Sequence, residues 1–311
     1  MYNFRTDLAD ERRDIYKKAN KLEDEIPGVE TEQNKDEDIC TTRVKIISEE
    51  GANALGKPIG TYITIDIKNL KIAQREEIEK AAQCLSKELK ELYKKNIQGQ
   101  EQDILVVGLG NMQVTPDALG PKVITSIDIT RHLLHYAPQY LEPNTRPVSA
   151  LAPGVLGTTG IETLEILKGV VENIKPKLII VIDSLASKSI DRISSTIQIA
   201  DTGIVPGAGV GNKRKEISKE SLGVPVIAIG VPTVVEAATL AADSLDIFIE
   251  KLQEEAKSND YLNKLKDEDK YTMIKEALLP KDYNLIVTPK EIDDLIENMS
   301  SVLARGINLS L

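Results

Sequence analysis

Apolar and polar positions along this chain follow two periods. From Gln74 to Asn96, residues Ile78, Ala82, Leu85, Leu89 and Leu92 recur at spacings of 4, 3, 4 and 3, which puts them on one face of a helix. TRVKIIS (42–48) and TYITIDI (61–67) are rich in β-branched residues and partly alternate, so both are expected strands, paired or adjacent, joined through EEGANALGKPIG. DILVVGLGN (103–111) is a nearly continuous apolar run ending in glycine, the pattern of a central parallel strand buried on both faces. KLIIVIDSL (177–185), SSTIQIAD (194–201) and VPVIAIG (224–230) read as further strands. ALGPKVITSIDITRHLLHYA, IETLEILKGVVENI and TVVEAATLAADSLDIFIEKL read as helices, and YNLIVTPKEIDDLIENMSSVLARGI adds a strand-like run and a terminal helix. The alternation predicts an α/β fold, a mostly parallel sheet flanked by helices, with additional N-terminal strands and a C-terminal helical region. Residues 1–40 are expected to form a charged arm, with a polar helix and then an irregular stretch. A smaller lobe at about 30–70 and a peripheral charged insertion at 251–283 complete the outline.

Composition narrows the partners. The 39 Lys+Arg against 49 Asp+Glu give a net charge of −10, which favours protein partners over direct binding of nucleic acid. No apolar run approaches the ~18 residues of a membrane span, so no membrane association is expected and the cytoplasm is the default. Cys40 and Cys84 are too few for a multi-thiol metal cage and suit a reducing compartment.

Candidate chemistry comes from position. In open α/β sheets, ligands bind beyond the carboxyl ends of parallel strands. LVVGLG leads through NMQVTP to Asp117, and LIIVI runs straight into Asp183, so both acids are expected at one sheet edge. Asp117, before a helical pattern, also suits a helix cap. Asp183 follows five apolar residues, where an acid must be paired, hydrogen-bonded or put to use. Facing carboxylates can share a proton and divide acid and base roles. His132 and His135, at i and i+3, suit a helix surface better than a metal site, and GLGN lacks the third glycine of a dinucleotide loop. The basic residues Lys213, Arg214 and Lys215 after PGAGVGN suit either a solvated loop or an anion site. No metal or cofactor is expected.

The ordered strings RTDLA, ALGKPIGTYITID, VVGLGNMQVTPDALGP, SALAPGVLGTTGIET, IDSLASKSIDRISSTIQIADTGIVPGAGVGNKRKEIS and NLIVTPKEIDDLIENMSSVLARGINL resemble those of germination proteases of spore-forming bacteria. These endopeptidases degrade small acid-soluble spore proteins. The resemblance spans nearly the whole chain and implies a fold similar to that of hydrogenase-maturation endopeptidases. It also implies an atypical aspartic mechanism with Asp117 and Asp183 as the catalytic pair, a homotetramer, a spore-core location, and a zymogen that trims its own N terminus. Family substrates are cut after glutamate in the order Glu, Ile/Phe, Ala, Ser, Glu. Asp7-Leu8-Ala9-Asp10-Glu11 follows the same order of acid, apolar, alanine, any, acid. The implied cut lies between Asp7 and Leu8, with residues 1–7 as propeptide and 8–311 as a single peptidase domain. In the expected mechanism Asp183 deprotonates water and protonated Asp117 polarises the carbonyl, the two labels being interchangeable at this stage. Lys213 or Arg214 is expected to neutralise the acid before the cut. Two other readings compete, a nickel-assisted maturation peptidase and a non-catalytic module that binds spore proteins or a nucleotide.

Overall fold

The computed structural model describes residues 6–36, 38–68, 75–96, 102–143, 145–207, 214–242, 244–245 and 285–311. The expected insertion at 251–283 and Lys213 lie outside them.

The strands are β1 (Val29–Asp36), β2 (Ile39–Ile46), β3 (Gly60–Ile67), β4 (Ile104–Gly108), β5 (Val148–Leu151), β6 (Leu178–Ser187), β7 (Thr196–Ala200), β8 (Val226–Glu236) and β9 (Ile286–Val287). They form one mixed sheet of order β1-β2-β3-β7-β8-β6-β4-β5, with β9 added to β8. The β5-β4-β6-β8 half is parallel, and β4, β6 and β8 are apolar runs seen in the sequence. On the other side, β1-β2-β3-β7-β8 pair antiparallel, so the 29–67 strands extend the same sheet through β3 and β7.

Helices α1 (Ala9–Asn20), α2 (Glu49–Leu55), α3 (Arg75–Asn96), α4 (Leu119–Ile124), α5 (Arg131–Tyr136), α6 (Leu156–Thr159), α7 (Thr163–Ile174), α8 (Lys219–Leu222) and α9 (Ile292–Ser310) cover it. The periodic face of α3 buries Leu85, Leu89 and Leu92 against the sheet together with α4 and α9, and Ala82 is fully buried as well. Each such leucine contributes about 1.5–3 kcal/mol by leaving water. Leu164, Leu167 and Val171 of α7 pack with Leu222 on the other face against Leu105, Val107, Ile179 and Val181.

Three expectations are corrected. The first 40 residues are not a detached arm: Val29–Asp36 is the edge strand, and Leu8 and Ala9 are fully buried, Ala9 in a third cluster with Ile26, Val44 and Tyr62. Most of their charged side chains face outward, but Asp10 and Glu11 are buried. TVVE does not open a helix; it lengthens β8, because Thr233, Val234 and Val235 are β-branched, and after an irregularity at Thr233 the strand pairs Val234 and Val235 with β6 and Val235 and Glu236 with β9. ALGPKVITSIDITRHLLHYA divides into α4 and α5, with Thr130 Oγ1 bonded to Arg146 O and accepting from Val148 N–H at 2.9 Å rather than lying on a continuous helix.

Candidate active site

Strand β4 delivers the first acid by way of a tight turn. Gly110 sits at φ +115°, and a Cβ there would fall 2.0 Å from the Asp117 carbonyl oxygen. Residues Thr115–Asp117 form a 3-10 turn, with Asp117 N–H donating to Val114 O at 2.7 Å. Asn111 N–H donates to both Asp117 O at 3.0 Å and Asp117 Oδ2 at 2.9 Å, so the carboxylate folds back on its own loop. Asp117 does not cap α4, whose N-cap is Ala118 with no side-chain bond; its half-exposed carboxylate bonds the preceding loop instead.

Strand β6 supplies the second acid. Asp183 is 4% exposed and lies in register with Gly230 of β8. Its Oδ1 accepts from Ser184 N–H at 2.9 Å, while Oδ2 is buried with no hydrogen-bond partner among the described residues. Burial drives its pKa well above the ordinary aspartate value, and the negative charges of Asp117 and then Asp7 add to the rise; backbone N–H groups of Ser184 and Gly207 oppose it. Burial also raises Asp117, and the Asn111 N–H tempers it.

The two acids share a cleft of about 90 Å³ with Gly154, Glu162, Gly207 and Arg214 among its walls. Both acids therefore lie at the same sheet edge. Arg214 Nη1 lies 3.7 Å from Glu162 Oε2, so this cation belongs to the cleft but faces a fixed acid. Asp7 and Leu8 lie elsewhere on the same edge, at the end of β6: Asp7 Oδ2 accepts from Ala186 N–H at 2.9 Å, and Asp7 N–H donates to Ala186 O at 2.9 Å. His132 and His135 are exposed on α5, away from both carboxylates' cleft. Among the described residues, no three His, Cys, Asp or Glu side chains are grouped to hold a metal ion. Burial raises the Cys84 thiol, leaving it a poor nucleophile.

Sequence reasoning overlooked Lys57 and Gln198, which flank Asp7 in an adjoining cavity of about 150 Å³. Gln198 carried a signal, being a lone amide between Ile197 and Ile199 in a buried strand. Lys57 carried none, since a lysine in a glycine-rich loop looks solvated.

A mixed α/β sheet with two desolvated carboxylates converging beyond its parallel strands defines an enzyme fold equipped for acid–base chemistry. The particular family follows from comparison. A family profile described as germination protease matches residues 6–265 and 260–311. A germination protease of Caldanaerobacter subterraneus subsp. tengcongensis is 51% identical, covering 100% of this chain and 95% of that protein. One from Clostridium perfringens is 49% identical over 100% and 96%, and one from Bacillus cereus 40% over 100% and 94%. The chain belongs to the germination protease family, and it is a protease. A NiFe hydrogenase maturation protease from Thermococcus kodakarensis aligns at 19% identity with a TM-score of 0.29, over 47% of this chain and 80% of that one. Among the described residues, no helix is long and apolar enough to cross a membrane.

Proposed function

We propose that this protease is an aspartic-type endopeptidase made as a zymogen, which cuts its own Asp7–Leu8 bond and then starts the degradation of small acid-soluble spore proteins. Residues 1–7 are the propeptide and 8–311 the peptidase domain, working as a homotetramer in the spore core without metal or cofactor. The observation that carries the reading is the Asp183 carboxyl, buried with a free Oδ2 beside a second acid that lifts its proton affinity.

That asymmetry supports roles opposite to the first expectation. Asp183, the more desolvated, holds the shared proton; Asp117, half-exposed and steadied by Asn111 N–H, is the base. Water loses a proton to Asp117 as its oxygen attacks the carbonyl carbon, and Asp183 gives its proton to the carbonyl oxygen. The C–N bond then breaks as Asp117 passes its proton to the leaving nitrogen and Asp183 recovers its own from the gem-diol.

Asp117→Asn and Asp183→Asn should each slow appearance of a Leu8 N terminus by about 10²–10⁴-fold, with the oligomer intact by light scattering. N-terminal sequencing of the incubated full chain is the readout. Leu8 termini forming at the wild-type rate in either variant would defeat the aspartic reading, and loss of cutting on adding a chelator would favour the metal-assisted one.

A further inference from the structure

Residues Thr6–Ala9 are held like a bound peptide. Leu8 is extended, with φ −79° and ψ 130°. Gln198 grips the backbone on both sides of the Asp7–Leu8 bond: its Nε2 donates to Asp7 O at 3.0 Å, and its Oε1 accepts from Ala9 N–H at 2.6 Å. With the two Ala186 bonds, this fixes the register of the peptide bond and points the Asp7 side chain into the 150 Å³ cavity that Arg12, Lys57, Tyr62 and Gln198 also line.

Apart from Asp7, the charged lining of that cavity is two cations, Arg12 and Lys57, against one acid, Glu216. The Arg12 guanidinium is already committed, with Nε bonded to Thr6 O at 2.9 Å and Nη1 to Leu55 O and Gly56 O at 3.1 Å. Lys57 is different. Its Nζ stands 5.1 Å over the Tyr62 ring and has no ion pair within 4.0 Å among the described residues. Burial and the Arg12 charge lower it to about 8, and Asp7 and Asp10 are the acids that hold it up. A half-buried lysine lining the same cavity as the side chain just before a clamped peptide bond is arranged to discriminate charge, because an uncharged occupant removes the negative charge that offsets its desolvation.

We propose that Lys57 is the specificity residue of an acid-reading subsite, selecting an Asp or Glu side chain immediately before the cleaved bond, while Gln198 positions the peptide by its backbone. This rests on the protease reading above, with Asp7 as the occupant in cis. It displaces Lys213 and Arg214 from that role; Arg214 lines the neighbouring carboxylate cleft and faces Glu162.

The test is a double-mutant cycle on the full-length chain, with the rate of cutting after residue 7 read by intact mass. Lys57→Met and Asp7→Asn should each slow cutting by about tenfold or more, and the double variant should be no slower than either single one, because both remove the same charge–charge attraction across the cavity. Lys57→Arg, which keeps the charge, should retain most of the rate. Gln198→Ala should slow wild-type and Asp7→Asn chains by the same factor. Multiplying effects of Lys57→Met and Asp7→Asn, or failure of Lys57→Arg to rescue, would overturn the subsite even if every variant folds. Wild-type chain that never cuts would instead defeat the protease reading on which the subsite stands.

Discussion

At the scale of single residues, the site conflicts with stability. Asp183 occupies a sheet interior flanked by apolar side chains, and among the described residues its carboxyl has a backbone hydrogen bond on Oδ1 and none on Oδ2. A carboxyl whose folded pKa lies above its unfolded value contributes most below the unfolded pKa, near 3.8, and loses that contribution as pH rises through the folded pKa. Asparagine in its place carries no charge at any pH, keeps an acceptor for Ser184 N–H, and can donate toward Asp117. Asp183→Asn should therefore stabilise the chain at pH 7.5 by about 0.5–2 kcal/mol, the usual yield of relieving a strained functional group. The gain should shrink as the pH is lowered toward 4. Melting curves of both proteins at the two pH values check this. A melting temperature lowered equally at both would mean that Asp183 is a structural acid, held by interactions its amide cannot replace.

At the scale of elements, the position of Asp117 depends on how closely α4 approaches β4. A Cβ on Gly108 would lie 2.2 Å from Gly120 O, and one on Gly120 would lie 2.3 Å from Leu109 O, so two facing glycines let helix and strand backbones touch. Backbone atoms cannot rotate aside as a side chain would. Gly120→Ala should thus push α4 outward and shift the turn that holds Asp117, costing about 1–3 kcal/mol by overpacking and most of the self-cutting rate. Gly169→Ala, on the exposed side of α7 with open space at its Cβ, should leave the rate unchanged and slightly stabilise the helix. Equal activity of the two variants, by the same mass assay, would show that the α4 contact does not position the acid. The same glycines explain what was legible beforehand. Apolar runs such as Leu178–Ile182 announce strands because both faces must be covered, and an acid at the end of one announces itself. The β1 edge strand, VETEQNKD, was hidden because almost every side chain faces water, and TVVE was hidden because β-branched residues followed by alanines suit either structure. Lys57 was illegible for another reason: its burial is created by α1 and the Asp7 segment, which lie some 45 to 50 positions away in the sequence.

At the scale of the whole molecule, the N-terminal segment ties the antiparallel half of the sheet to β6. Gln198 of β7 and Ala186 of β6 both hold Asp7. Four residues on, Glu11 Oε2 accepts from Lys188 N–H at 2.8 Å just past the β6 end, and Asp10 meets Arg192 Nη1 at 2.6 Å. Thr6 Oγ1 links the two anchors, accepting from Leu8 N–H at 3.1 Å and donating to Glu11 Oε2. A cut after Asp7 releases the first anchor and spares the second, because Leu8 to Glu11 stay with the body of the protein. The amide of Ala186 then loses its Asp7 acceptor, while that of Lys188 keeps Glu11. Loss of a hydrogen bond to a charged acceptor, about 1.5 kcal/mol, should speed hydrogen exchange at Ala186 by about tenfold in the trimmed chain. Lys188 should stay as protected as before trimming. Residue-resolved exchange on the full-length and trimmed proteins measures both amides in one experiment. Matching acceleration at Ala186 and Lys188 would mean that the whole segment leaves the sheet edge on cutting, and no acceleration at either would mean that Asp7 does not hold β6 in solution.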